Sequence, residues 1–291
     1  MSTTTAPDAT TTRRTPLASH ALVALAVAQI VSGGLVSVFG DSPIMQADRP
    51  GEPAITPQGY AFAIWGVIEL VSLGLAVWLV WFRRRASATA VPVVDALTRA
   101  LLILFAGFSV WLVASVVEPV WATLAVFLVM GLALVAGLRV AVRARGEIAT
   151  WSPLGRFLVW TTLGLYAGWS TVAIWLNLTT ALAFSGAPVS GTVGVLGQLA
   201  VLAGATGTAV VVLRRTGGLL PYAAAVVWAL VGAVLGASGA GEPVLAAGAA
   251  LGLLVVVATT AVLVARRRTR PAAARRRTPG RHRGRALPWA P

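Results

Sequence analysis

Apolar residues run through this chain in blocks of about twenty, the length of helix that crosses the hydrocarbon core of a bilayer. Eight such blocks stand near 20–40, 60–82, 97–117, 120–142, 155–181, 191–213, 219–238 and 243–265. Polar residues gather in short groups between them, and the groups alternate in kind. Arg13 and Arg14 precede the first block, and Arg83, Arg84, Arg85 and Arg99 separate the second from the third. Arg139, Arg143, Arg145 and Arg156 mark the passage from the fourth to the fifth. Arg214 and Arg215 follow the sixth, and Arg266, Arg267 and Arg268 follow the eighth. The intervening loops carry Asp41, Asp48, Arg49 and Glu52, then Glu118, then no charge, then Glu242. Adding or removing one helix breaks the alternation. The pattern predicts an all-α, polytopic integral membrane protein with about eight transmembrane helices. The arginine-rich loops place both termini in the cytoplasm of a multi-pass cell-membrane protein.

Composition agrees with the pattern. Hydrophobic residues make up 57% of the chain, charged residues 11%, and the mean hydropathy is +0.83. A soluble domain carries roughly 25% charge, so this apolar excess calls for the lipid bilayer as partner. The net charge of +14 comes from arginines clustered between apolar runs and beyond Val264. That placement reads as topology and as contact with anionic lipid headgroups at the Arg-rich tail, and no nucleic acid is expected as a partner. The absence of cysteine excludes disulfides, thiolate metal sites and a Cys nucleophile. His20 and His282 lie near opposite ends, so no His metal cluster is expected. No nucleophile–base pair or phosphate loop stands in a plausible place. Neither an enzyme nor a resident cofactor is therefore predicted.

The organisation follows from the blocks. Residues 1–19 read as a disordered, Thr-rich cytoplasmic N-terminus before an uncleaved first span. Residues 20–181 hold the first five spans, 182–265 three additional ones, and 266–291 a disordered Arg-rich cytoplasmic tail. Three outer turns are tight and hold proline, at Glu118-Pro119, Ala187-Pro188 and Glu242-Pro243. The first outer loop, 41–58, is longer and holds Pro43, Pro50, Pro53 and Pro57. It reads either as a functional lid or as a connector.

Two helices carry candidate chemistry. Phe62, Trp65, Glu69 and Ser72 recur at steps of three and four in the second span and share a face. That stripe suits core packing or a ligand-facing wall. Glu69 lies roughly 15 Å from the outer start of its helix, near the bilayer middle, where a carboxyl must be neutral, paired or facing water. The fifth span carries Thr162, Tyr166, Trp169, Ala173, Asn177 and Thr180 on one stripe. Ala173 leaves room between larger groups, and Asn177 must find partners. If the two stripes face each other, they line a pocket in the outer half of the bundle with the 41–58 loop above it. Trp228 and Gln198 read as packing and as an interhelical bond. Gly194, Gly197, Gly204, Gly207, Gly232 and Gly236 allow close helix packing.

These stripes resemble the TspO/MBR family, the tryptophan-rich sensory or translocator proteins. Pro57-x-Gly59-Tyr60-x-Phe62-x-Ile64-Trp65 is similar to the Pro-Gly-aromatic start of that family's second helix. Tyr166-x-x-Trp169-x-x-x-Ala173-x-x-Leu176-Asn177 is similar to its fifth. The resemblance covers roughly 20–181 and is closest to a longer bacterial branch with extra C-terminal helices. It implies a TspO-like five-helix bundle plus three, with a tetrapyrrole or sterol-like lipid held between helices. The implied ligand contacts are Tyr60, Phe62, Trp65, Tyr166, Trp169, Ala173 and Asn177. Three departures stand out: Phe105-Ala106-Gly107-Phe108-Ser109-Val110-Trp111 lacks the family's Asn, Glu69 stands where the longer branch tends to have tyrosine, and the core family's double proline and flanking tryptophan are reduced to Pro57. The leading expectation is a protein that binds, senses or translocates a hydrophobic small molecule in an aromatic intramembrane pocket. The alternatives are a proton-coupled transporter using Glu69 and a membrane scaffold without a ligand. A homodimer is left open.

Overall fold

A computed structural model describes residues 17–39, 52–117 and 120–269. All regular structure among these residues is helical. Helices α1 (Leu17–Phe39), α2 (Ile64–Arg83, entered through a 3-10 turn at Gly59–Ala63), α3 (Ala90–Val117) and α4 (Val120–Arg143) come first. They are followed by the short α5 (Arg145–Thr150) and by α6 (Pro153–Phe184), α7 (Gly191–Thr216), α8 (Leu220–Gly239) and α9 (Pro243–Thr269). Eight of these helices are long and apolar enough to cross a membrane, as the block pattern predicts. The N-terminal segment 1–16, Asp41, Asp48 and Arg49, the Glu118-Pro119 turn and the tail 270–291 lie outside the described residues.

The helix ends follow local chemistry. Ser152 caps α6 by accepting from Gly155 N at 3.2 Å, and Pro153 fills the first helical turn, where no amide partner is lost. Gly217 ends α7 with φ 70°, a left-handed conformation that residues with a Cβ adopt at a cost. Three boundaries differ from the block pattern. Helix α3 begins at Ala90 rather than near 97: Ser87 Oγ accepts the Ala90 N–H at 3.2 Å at its start, and Asp95 inside it takes Arg83 in a bidentate pair at 2.6 and 3.0 Å. Residues 17–19 already belong to α1, and α9 continues through Arg266–Arg268 to Thr269. Arginine is a good helix former and suits the negative end of a helix dipole.

Helix α6 is the axis of the bundle. In its apolar window 72% of residues are buried, against 22% in α1 and in α9. It touches α2, α4, α7 and α8, while α1 packs on α2 and α3, and α9 on α7 and α8. At about 1.5 Å per residue its 32 residues exceed a bilayer core of about 30 Å, so it tilts or projects. Small residues bring α8 against it. A Cβ on Gly168 would stand 2.4 Å from the Tyr222 carbonyl oxygen, and one on Gly164 would stand 2.8 Å from Pro221 Cβ. The Tyr222 and Thr171 hydroxyls meet at 2.9 Å across the same contact.

The described part of the 41–58 loop sits on α7 and α8. Ile55 is fully buried, and its N–H donates to Gln198 Oε1 at 3.1 Å. Gln198 in turn donates to the Val189 carbonyl at 2.8 Å, so it ties two loops together rather than two helices. The Gln58 N–H donates to the Gly232 carbonyl at 3.3 Å, and a Cβ on Gly236 would stand 2.1 Å from the Thr56 oxygen. Gly232 and Gly236 thus form a groove for the loop rather than for a helix.

Candidate functional site: an aromatic centre between α2, α3 and α6

Pro57 and Gly59 lead the chain into α2, whose helical period then puts Phe62, Trp65, Glu69 and Ser72 on one side. Trp65, Glu69 and Ser72 are buried and Phe62 is half-buried. On α6 the same period buries Thr162, Tyr166, Trp169 and Ala173, leaves Asn177 half-buried and exposes Thr180. The two faces meet. Phe62 lies edge-on to Trp169 with centroids 5.6 Å apart, and Trp65 lies 5.5 Å from Tyr166 and 6.1 Å from Trp169. Each spacing lies within the range favoured by aromatic pairs.

Helix α3 supplies the third wall. Phe108 lies 4.6 Å and Trp111 5.7 Å from the Trp65 ring, and Phe105 stacks on Tyr166 at 6.3 Å. Trp111 is backed by Phe127 of α4 at 5.1 Å. These α3 rings are not among the candidates named from the sequence. The signal was present as Phe105, Phe108 and Trp111 at steps of three, one face of a helix. Helix α1 adds Gln29, also absent from the candidates, a fully buried amide in an otherwise apolar span. Its Oε1 accepts the Tyr166 hydroxyl at 2.7 Å.

The eight candidate residues divide into a centre and its margins. Phe62, Trp65, Tyr166 and Trp169 form the centre. Glu69 lies one turn along α2, with its carboxyl against Gly33 of α1, where an added Cβ would stand 3.2 Å from Oε1. Ala173 lies one turn beyond Trp169, and its carbonyl takes the Asn177 amide Nδ2 at 2.8 Å, so that amide is bonded within its own helix. Tyr60 stands apart, 41% exposed and edge-on to Trp228 at 5.4 Å. Trp228 donates to the Ala61 carbonyl at 2.8 Å and so holds the start of α2 to α8. A second aromatic group, Trp78, Phe82 and Trp151, closes the other end of α2 with centroids 4.4 to 5.5 Å apart.

Several polar atoms in and beside the centre are buried without a hydrogen-bond partner: Trp65 Nε1, Trp111 Nε1, Gln29 Nε2, Ser72 Oγ and Ser170 Oγ. Buried donors are almost always paired, and an unpaired one costs roughly 1–3 kcal/mol. Two indole donors on the faces of one aromatic cluster are chemically suited to an acceptor carried by a mostly apolar molecule. No group of three or more His, Cys, Asp or Glu side chains able to hold a metal ion occurs among the described residues.

Comparison with known proteins adds one finding. A family model described as TSPO-like protein matches residues 18–263, which reaches beyond the first five spans to take in all eight. No curated protein and no solved structure matches the chain.

Proposed function

The chain belongs to the TspO-like family, and from that premise we propose that it binds a flat, hydrophobic small molecule of tetrapyrrole or sterol-like kind at the α2–α3–α6 aromatic centre. The observation that carries this reading is the pair of unpaired indole donors, Trp65 Nε1 and Trp111 Nε1, inside a cluster otherwise made of ring faces. Stacking and burial would supply the affinity, and an acceptor on the ligand would satisfy the indoles. The rings touch one another, so a ligand enters by turning some of them aside. Phe62 is the half-buried member, edge-on to Trp169, and is the ring that opens the way. Sensing and translocation of that molecule are two uses of the same site.

The test is a titration of the purified protein with protoporphyrin IX, read by quenching of tryptophan fluorescence and by the porphyrin absorption band. Saturable binding is expected. Trp169→Ala weakens it by roughly tenfold or more, as loss of a stacking anchor does, and Trp228→Ala weakens it much less. Equal loss in the two variants, or no saturable binding of porphyrin or sterol probes, contradicts the assignment.

A further inference from the structure

At the far end of α7 the chain turns through Gly217 and Gly218, with φ of 70° and 80°, straight into α8. A cleft of about 380 Å³ opens at this turn, lined by Leu219, Leu220, Pro221, Val264, Arg267 and Arg268. Its chemistry is two-sided. One wall is apolar, with Leu220 59% exposed. The other is cationic, formed by Arg267 and Arg268, with Arg145 reaching its edge at Thr216. Arg145 of α5 and Arg267 of α9 both donate to the carbonyl of Thr216, at 2.8 and 2.5 Å, and so converge on one oxygen.

Part of this arrangement is helix capping, because cations suit the negative end of α7. Capping does not account for all of it. A helix end carries about half a negative charge, whereas two guanidinium groups meet there and a third, Arg268, lines the cleft. Among the described residues Arg145, Arg267 and Arg268 form no ion pair. No Asp or Glu follows Glu242 in the sequence. Helix α8 starts in the same cleft and brings its positive dipole end. Each guanidinium has five N–H donors in a fork matched to phosphate oxygens. Glu147, two residues from Arg145 on α5, accepts from Trp151 Nε1 at 3.4 Å and pairs with none of the three arginines, so their charge favours an anion from outside the chain.

We propose that this cleft is a binding site for an anionic phospholipid. Its phosphate lies between Arg145, Arg267 and Arg268, and an acyl chain runs along Leu220 and Val264. The apolar wall distinguishes this occupant from a free phosphate, which has no use for it. The site lies on α8, α9 and the turn before α8, with Arg145 of α5 at its edge, and uses no residue beyond 269. The arginine alternation assigns this end of the bundle to the cytoplasmic leaflet, where anionic lipids concentrate.

The experiment is native mass spectrometry of the full chain in neutral detergent, with phosphatidylglycerol, phosphatidylcholine or inorganic phosphate added. Phosphatidylglycerol is expected to bind in preference to phosphatidylcholine, and Arg145→Gln with Arg267→Gln to cut that preference roughly tenfold. Replacing Arg275, Arg276 and Arg277 by Gln leaves it in place. Because the double variant uncaps α7, Arg268→Gln serves beside it: it lines the cleft without bonding to Thr216, and it also weakens binding. The proposal fails if the preference survives both Arg268→Gln and the double variant, or if it follows the tail arginines instead. It fails equally if millimolar inorganic phosphate displaces the lipid completely, which would make the cleft a simple anion site.

Discussion

At the scale of single residues, one buried hydrogen bond organises the aromatic centre. Tyr166 donates to Gln29 Oε1 while Gln29 Nε2 has no partner. Tyr166→Phe leaves both ends of that amide unpaired, with an expected loss of about 1 kcal/mol, measured by detergent-induced unfolding. Adding Gln29→Leu removes the stranded amide, and the double variant is expected to recover part of the loss. A double variant no more stable than Tyr166→Phe alone would contradict the pairing. The sequence showed Tyr166 as one member of a stripe, because helical period fixes which residues share a face. It did not show Gln29, 137 positions away, because period carries no information about which helix lies opposite. The same limit hid the α3 rings, and it hid that Tyr60 and Asn177, implied as ligand contacts by the resemblance, stand at the margin of the ring cluster.

At the scale of elements, the spans were legible and their seating was not. Runs of about twenty apolar residues have few other readings. Helix α5, with six residues, offers no such run and went unseen. The 41–58 loop was expected above the α2–α6 contact, and only its residues 52–58 are described. These rest instead on α7 and α8, because Gly232 and Gly236 leave a groove that only the folded neighbour reveals. Helix α8 is therefore built into the protein on two sides, by Gly164 and Gly168 of α6 and by the loop. Gly168→Leu must push Tyr222 and Ala225 away, with an expected cost of roughly 1–3 kcal/mol. Gly207, whose Cβ would meet nothing within 4 Å, serves as the control and is expected to accept leucine with little change. Equal effects at the two positions would argue against close α6–α8 packing.

At the scale of the whole molecule, eight spans and the family match describe one TspO-like multi-pass membrane protein rather than five helices with an unrelated addition. Its sidedness rests on arginine placement and is open to a direct check. The chain has no cysteine, so single introduced thiols report alone. In intact cells a membrane-impermeant maleimide is expected to label Ser190→Cys in the α6–α7 turn and to miss Ala88→Cys in the α2–α3 turn. Both positions are exposed in the structure. The opposite pattern would invert the topology, and with it the leaflet assigned to the arginine cleft.

The claim on which these scales converge is that the α2–α3–α6 aromatic centre is a ligand site. It is tested most directly by determining the structure of the full chain with protoporphyrin IX bound. The account predicts density for the ring system between Trp65, Trp169 and Phe108, with Phe62 rotated from its place beside Trp169. It also predicts an acceptor within hydrogen-bond distance of Trp65 Nε1 or Trp111 Nε1. Density elsewhere on the protein, with these rings still in mutual contact, would contradict it.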